Sequence, residues 1–386
     1  MMKSILDQIN SIIEQVNKLP NGNTKIELME EAIRLADVHQ RPDIGFDLRD
    51  QLMTVATFCG APEKTLVAFS WCLAQCDQNP EEFDQLQLLW KYKWVVSSLK
   101  YFPHIRLDQI NQAMEDMTKR YQGCGLGLRP VYKLACEHAM ARKDYPQVKH
   151  FQRLWRSSPI GSGNDCAACE RDSQVGYYLF DGDIDRAFKA AEPIVTGQMK
   201  CGEVPHVTLP QLLVPLLRRK DYAKATHYYF WATRLLKYNP DFISEYGKIL
   251  TFLALTGNPN EGLPILEAML PAVMETKALS RRFYFQLGTS LLLHYLQESG
   301  SEQISIRIPK ELKDLLEKDF AGASGAKEID KKSISLQSFI QWVDADLQRI
   351  ATLFDKRNGT DAFTRNIEDS KNDRELFCLI PLKAVD

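Results

Sequence analysis

The stretch QLLVPLLRRKDYAKATHYYFWA, residues 211–232, decides the fold class. Leu213 and Leu216 precede the polar pair Lys220-Asp221, and Ala225, Tyr229 and Ala232 follow it, spaced as on one face of each of two helices. The same punctuation, a helix-like stretch ending at a small or polar turn, returns at Gly60-Ala61, Lys143-Asp144, Gly182-Asp183 and Gly257-Asn258. Taken in chain order, the five turns are separated by 83, 39, 38 and 37 residues, and Tyr101-Phe102-Pro103 falls near the middle of the long gap. A period of about 37 to 42 residues means pairs of antiparallel helices, each pair too small to bury its apolar face alone.

Length and charge fit that reading. The chain has 386 residues, with 48 basic against 50 acidic side chains, so it lacks the basic excess of a nucleic-acid binder. No apolar run approaches the roughly 18 residues of a membrane span, and the first residues carry acids and amides where a signal peptide needs an apolar stretch. A cytoplasmic protein is expected. Most of the nine cysteines, including Cys59, Cys72, Cys76 and Cys136, lie in helix-like apolar patterns, as buried free thiols do.

Within the units the residues resemble degenerate tetratricopeptide repeats. That family places a small residue early in the second helix so that it approaches the first closely. Ala187 follows Gly182-Asp183 at that spacing, with Tyr178 before it. A further unit offers Tyr246, Ile249, Leu250 and Leu253, then Gly262, Leu266 and Met269. Pro193 and Pro271 read as closing prolines, which stop a helix because they lack the amide donor. The resemblance spans roughly residues 24–297 and fades toward the N-terminus, where Thr65 and Gln152 replace the usual alanine and aromatic. It implies an all-α fold, a right-handed α-solenoid of helical hairpins over residues 1–299, with a small C-terminal cap over 300–386.

The cap has its own pattern. Ile304, Ile306 and Ile308 alternate with polar residues, a strand period, and Pro309 opens a helix through Leu315. Ala321 to Ala326 reads as a linker, and a long amphipathic helix is predicted over 336–354. Leu376 to Ile380 is a candidate strand, expected to pair with Ile304 to Ile308 in a small sheet that caps the solenoid, and the cap is allowed a short β-hairpin.

The strongest local motif is Asp165-Cys166-Ala-Ala-Cys169, followed one helical hairpin later by Cys201-Gly-Glu-Val-Pro-His206. Two thiols at C-x-x-C spacing in a turn can reach one metal ion. A helix out and a helix back would bring the second loop beside the first, so Cys166, Cys169, Cys201 and His206 form a candidate structural zinc site with four protein ligands. Unliganded loop thiols are the competing reading. A redox pair is the third, though it normally sits in a thioredoxin-like fold.

A second motif, Phe354-Asp-Lys-Arg-Asn-Gly-Thr360, falls just after the predicted long helix. Asp355, Arg357 and Asn358 are candidate ligand contacts there, against the alternative of a capping turn held by side-chain hydrogen bonds. The combined pattern, D-C-x-x-C, then C-x-x-x-P-H, then F-D-x-R-N-G-T after a repeat array, resembles a group of bacterial tetratricopeptide-like proteins, which supplies no activity to transfer.

No phosphate loop, H-E-x-x-H helix or nucleophile elbow is present. Gly123 to Gly127 follows a helix, so it reads as a turn between helices. His138, His227 and His294 read as core or groove histidines, with no acid or nucleophile placed beside them. Aromatic and basic residues supply the remaining signal. Trp90 and Trp94 stand one helical turn apart, and Tyr228, Trp231, Arg281 and Arg282 lie in similar clusters. Those left exposed on a concave face would anchor a protein or peptide ligand. The expectation is a non-catalytic binding scaffold, for example an immunity or chaperone-like protein. The alternatives are a peptide-sensing regulator and a thiol- or zinc-dependent enzyme using Cys166 and Cys169.

Overall fold

A computed structural model of the chain describes residues 5–319 and 333–382. Among these, eighteen α-helices and one two-stranded sheet make the fold all-α. The chain divides into two compact units. The first runs to Cys136 and includes His150–Asn164; the second comprises Glu137–Lys149 and everything from Asp165 onward.

The first unit contains α1 (Ile5–Lys18), α2 (Asn23–Val38), α3 (Pro42–Phe58), α4 (Pro62–Gln78), α5 (Gln85–Leu99) and α6 (Leu107–Gly123), each packed on its neighbour in sequence. Helices α7 (Arg129–Ala141) and α8 (Tyr145–Ser157) contribute residues to both units. The first unit's core includes Met29, Met53, Phe69, Cys72, Leu89 and Tyr121.

The second unit continues with α9 (Ala167–Phe180), α10 (Ile184–Val195), α11 (Thr208–Arg218), α12 (Tyr222–Leu236), α13 (Ile243–Leu255), α14 (Pro259–Glu275) and α15 (Leu279–Glu298). Then come β1 (Gln303–Ser305), α16 (Lys310–Asp319), β2 (Ser333–Ser335), α17 (Leu336–Asn358) and α18 (Ala362–Asn372). The odd-numbered helices α9, α11, α13, α15 and α17 touch in succession, and α10, α12, α14 and α18 pack onto them. Ala187, Ala225 and Ala232 are fully buried, so each removes the bulk that would hold paired helices apart, while Tyr229 stacks on Phe252 at 5.6 Å. Each fully buried Leu in this core, such as Leu213, Leu250 or Leu266, contributes about 1.5–3 kcal/mol.

The five turns picked out in the sequence share one geometry. Gly60, Lys143, Gly182, Lys220 and Gly257 all have φ between 53° and 77°, the left-handed conformation that stops a helix. In each, the next residue donates its N–H to a carbonyl five residues back: Ala61 to Ala56, Asp144 to Ala139, Asp183 to Tyr178, Asp221 to Leu216 and Asn258 to Leu253, at 2.9–3.0 Å. Asp144, Asp183 and Asp221 then accept N–H groups of the following helix, from Gln147, Arg186 and Lys224, so one dipeptide both stops a helix and starts the next. Gln40, Gly125 and Gly300 adopt the same turn, at positions the repeat pattern did not mark.

Several expectations need correction. Pro193 and Pro271 do not close helices but lie inside α10 and α14, because only the single N–H they lack is lost near a helix end. β1 pairs antiparallel with β2, Ile304 opposite Ile334, and not with Leu376–Ile380. Leu376 instead ends a short 3-10 helix, and the residues after it run along the end of α13, where the Cys378 and Ile380 N–H groups bond the Leu255 and Thr256 carbonyls left free by the helix terminus. The long helix reaches Asn358, absorbing most of the Phe354–Thr360 motif, and α18 follows it. Residues after 300 are seated on the array through a shared core, in which Ile304, Leu312, Phe339, Leu347 and Phe354 pack with residues of α11–α15. The linker expected at Ala321 to Ala326 lies outside the described residues.

Candidate metal centre

Cys166 is the residue that begins α9, and its sulfur accepts the Cys169 N–H at 3.5 Å. This capping contact fixes the C-x-x-C pair on the first helical turn. Because α9 and α10 are packed antiparallel, the chain returns to the same end, where the loop between α10 and α11 carries Cys201. That loop is a tight turn: the Cys201 N–H donates to the Val204 carbonyl at 2.9 Å, and the Glu203 and Val204 N–H groups lie on the side of the Cys201 sulfur, where they favour its thiolate. Beneath it, buried Ala168, Ile194 and Val204 form a small apolar floor against which Cys169 and Cys201 pack.

The three sulfurs of Cys166, Cys169 and Cys201 lie within 4.8 Å of one another, with Cys169 and Cys201 at 3.5 Å. Tetrahedral zinc with Zn–S bonds of about 2.3 Å sets its sulfurs about 3.8 Å apart. The observed spacing is compatible with one metal ion held by the three sulfurs. The hydrogen bond from Cys169, joined by the loop's N–H groups, pulls the Cys201 pKa down. The same contact, with burial, pushes the Cys169 thiol up, so Cys169 holds its proton more tightly than Cys201 does. A cation displacing that proton would find the N–H donors already arranged around Cys201.

The four-ligand set expected from sequence is only partly assembled. His206 stands outside the group of three, its ring stacked on Phe242 at 5.4 Å and 9°. Its Nδ1 is buried and lacks a hydrogen-bond partner, and burial lowers its pKa, which favours the neutral imidazole that binds metals. Glu203 was missed, although its place inside the Cys201–His206 loop could have drawn attention to it. Burial, with Asp241 and Cys201 nearby, pushes its carboxyl up to about 7.

The remaining candidates fall into two groups. Trp90 is 41% exposed and packs edge-on against the partly exposed Trp94 at 5.0 Å, while Leu86, one turn earlier, is 52% exposed. Tyr228, Arg281 and Arg282 do not present themselves to a partner. Tyr228 is buried; Arg281 pairs with Asp241 at 2.7 Å and Arg282 with Asp346 at 2.6 Å, and these guanidiniums are taken up because they neutralise buried carboxylates. Trp231 is half-buried, edge-on to Tyr228.

In the second motif the capping alternative holds for Asp355. Its carboxylate accepts the N–H groups of Phe363 and Thr364 and the Thr364 hydroxyl at 2.7–3.0 Å, capping α18 from the end of α17. Arg357 donates to the Asn358 side-chain oxygen at 2.9 Å and lies over the Phe354 ring.

His294 differs from expectation, since an acid does lie beside it. Asp344 binds its Nε2 at 3.0 Å and accepts the Ser290 hydroxyl at 2.7 Å. The carboxylate stands between serine and imidazole, so the hydroxyl is bonded to the acid, and the order of a nucleophile-activating triad is absent. No cysteine is disulfide-bonded, and among the described residues no helix is long and apolar enough to cross a membrane. Compared with known proteins, the chain matches no family model and no curated protein.

Proposed function

We propose that this protein is a non-catalytic helical-repeat scaffold that binds a protein or peptide, with zinc held by Cys166, Cys169 and Cys201 as an internal clasp. The observation that carries the metal reading is the meeting of three thiols from the start of α9 and the loop before α11, with Cys169 and Cys201 separated by 32 residues of sequence. Zinc there would tie the start of α9 to the loop before α11, a structural task, and His206 is the candidate fourth ligand. For binding, the support is the Leu86–Trp90 ridge on α5, where large apolar side chains face solvent on one helical face. A tetratricopeptide-like solenoid remains the reading of the repeat pattern, and an immunity or chaperone-like role is its most specific form.

The test is elemental analysis of the protein purified without chelators. About one zinc per chain is expected, with the melting temperature falling on chelation and in Cys169→Ser. Zinc below a tenth of an equivalent after refolding with the metal would overturn the clasp. For partner binding, Trp90→Ala with Leu86→Ala would abolish capture of the cognate protein while leaving the fold intact. The lowered Cys201 pKa favours a second reading, thiol chemistry at the same cluster. Alkylation separates the two, since a clasp loses stability whereas a thiol enzyme loses activity at unchanged stability.

A further inference from the structure

A depression of about 520 Å³ lies between the α7–α8 turn and the α17–α18 turn, lined by Arg142, Lys143, Asp355, Gly359, Thr360, Asp361 and Arg365. We propose that it binds a phosphate monoester, whose oxygens are taken by Arg142, Thr360 and Arg365.

Three observations point to an oxyanion. First, Arg142 is only 15% exposed, yet its one carboxylate partner among the described residues, Asp144, is at the long distance of 3.4 Å. Most of its five N–H donors are left for another acceptor. Second, the Thr360 hydroxyl oxygen, which lines the depression, is buried without a hydrogen-bond partner, and so is the amide nitrogen of Asn358, two residues earlier at the end of α17 and outside the lining. The Asn358 oxygen is held by Arg357, which fixes the amide nitrogen as the end still in need of an acceptor. Asn358 is 7% exposed, so water does not readily supply one. Third, the carboxylates nearby are already engaged. Asp355 caps α18, Asp361 pairs with Arg365 at 2.9 Å, and Asp369 holds Lys143 at 2.7 Å.

The lining therefore offers donors and asks for acceptors. Lys143 and Arg365 are each held by a carboxylate, Asp369 and Asp361, so Arg142 and the Thr360 hydroxyl are the donors left over for a ligand, with the remaining N–H groups of Arg365 beside them. Burial makes Arg142 less basic, and burial together with Arg142 brings Arg357 down to about 10. A dianion beside these two guanidiniums relieves both effects. The volume lies in the range of small-molecule sites, which suits a phosphorylated metabolite better than an extended chain.

The test is calorimetric titration of the full chain, at constant ionic strength, with glycerol 3-phosphate, inorganic phosphate and citrate. Saturable binding of glycerol 3-phosphate, tighter than phosphate or citrate, is expected at about 0.1–1 mM. Arg142→Gln and Thr360→Val should each weaken it by about tenfold, while Lys224→Gln, outside the depression, leaves it unchanged. If Arg142→Gln does not fold, the near-isosteric Thr360→Val and the half-exposed Arg365→Gln carry the comparison. Binding unchanged in those variants, tighter binding of citrate, or no saturation by 10 mM would each overturn the proposal.

Discussion

Gly247 of α13 and Gly288 of α15 lie backbone to backbone, with no room for a side chain at either. A methyl carbon on Gly288 would come within 2.9 Å of the Gly247 carbonyl carbon, and one on Gly247 within 2.7 Å of the Phe285 Cα. Because both obstacles are main chain, neither can swing aside. The pair sets the closeness of the two helices at the centre of the second unit.

Gly288→Ala and Gly247→Ala should each destabilise the protein by about 3 kcal/mol or more, since relief requires the helices to part. Gly176→Ala is the control. A methyl there meets only the end of the Gln211 side chain at 3.7 Å, and removing an interior helix glycine should stabilise by about 0.5–1 kcal/mol. Urea denaturation of the three variants reads the contrast, and equal effects at Gly176 and Gly288 would contradict the packing argument.

Lys220 adopts φ 58°, a conformation that costs a residue with a Cβ about 1–2 kcal/mol and glycine almost nothing. Lys220→Gly should accordingly raise stability, by about 1 kcal/mol less whatever the freer unfolded chain takes back. Gly182→Ala, with φ 77° and open space around it, should lower stability by a similar amount. Thermal melts of the two variants should move in opposite directions.

Asp172 supplies a pH dependence. Burial pushes its carboxyl up to about 6, against the hydrogen bonds from Thr208 at 2.6 Å and Gln211 at 2.7 Å. With its folded pKa above the unfolded value of 3.8, the folded state holds the proton more tightly. Its contribution is therefore fully present below about pH 4 and is lost as pH rises through 6, at most about 3 kcal/mol. Asp172→Asn keeps an acceptor for both donors and carries no charge, so it should remove this loss. A stability difference between wild type and variant that stays constant from pH 4 to 8 would contradict it.

Asp355→Ala should release the N-terminus of α18 by removing three hydrogen bonds at once. The expected cost is about 1–2 kcal/mol, with faster hydrogen exchange at Phe363 and Thr364 than in the preceding helix. Asp355→Asn, which retains an acceptor, should recover part of the protection.

These residues also show why some features could be read in advance. The stops at Lys143, Gly182 and Lys220 were legible because each depends on neighbours within five residues, including the aspartate that caps the next helix. Gln40 escaped notice because nothing in its residue type signals a left-handed turn. The thiol cluster was three-quarters legible: antiparallel α9 and α10 had to bring Cys201 back to Cys166 and Cys169, but the placement of His206 depended on Phe242, 36 residues further on. Arg281 and Arg282 looked like interface residues because their partners, Asp241 and Asp346, are 40 and 64 residues away.

From the sequence alone follow the helical class, the repeating hairpin turns and the candidacy of the two cysteine loops as one site. All of these rest on periodicity and on hydrogen bonds between near neighbours. Tertiary structure alone decided which arginines neutralise buried acids, where Leu376 to Ile380 docks, that residues after 300 share the second unit's core, and that Arg142 and Thr360 line one depression. Those outcomes depend on which distant surfaces are desolvated together. Charge and backbone polarity must then be satisfied by whatever the packing places alongside them, and no local pattern in the chain encodes that.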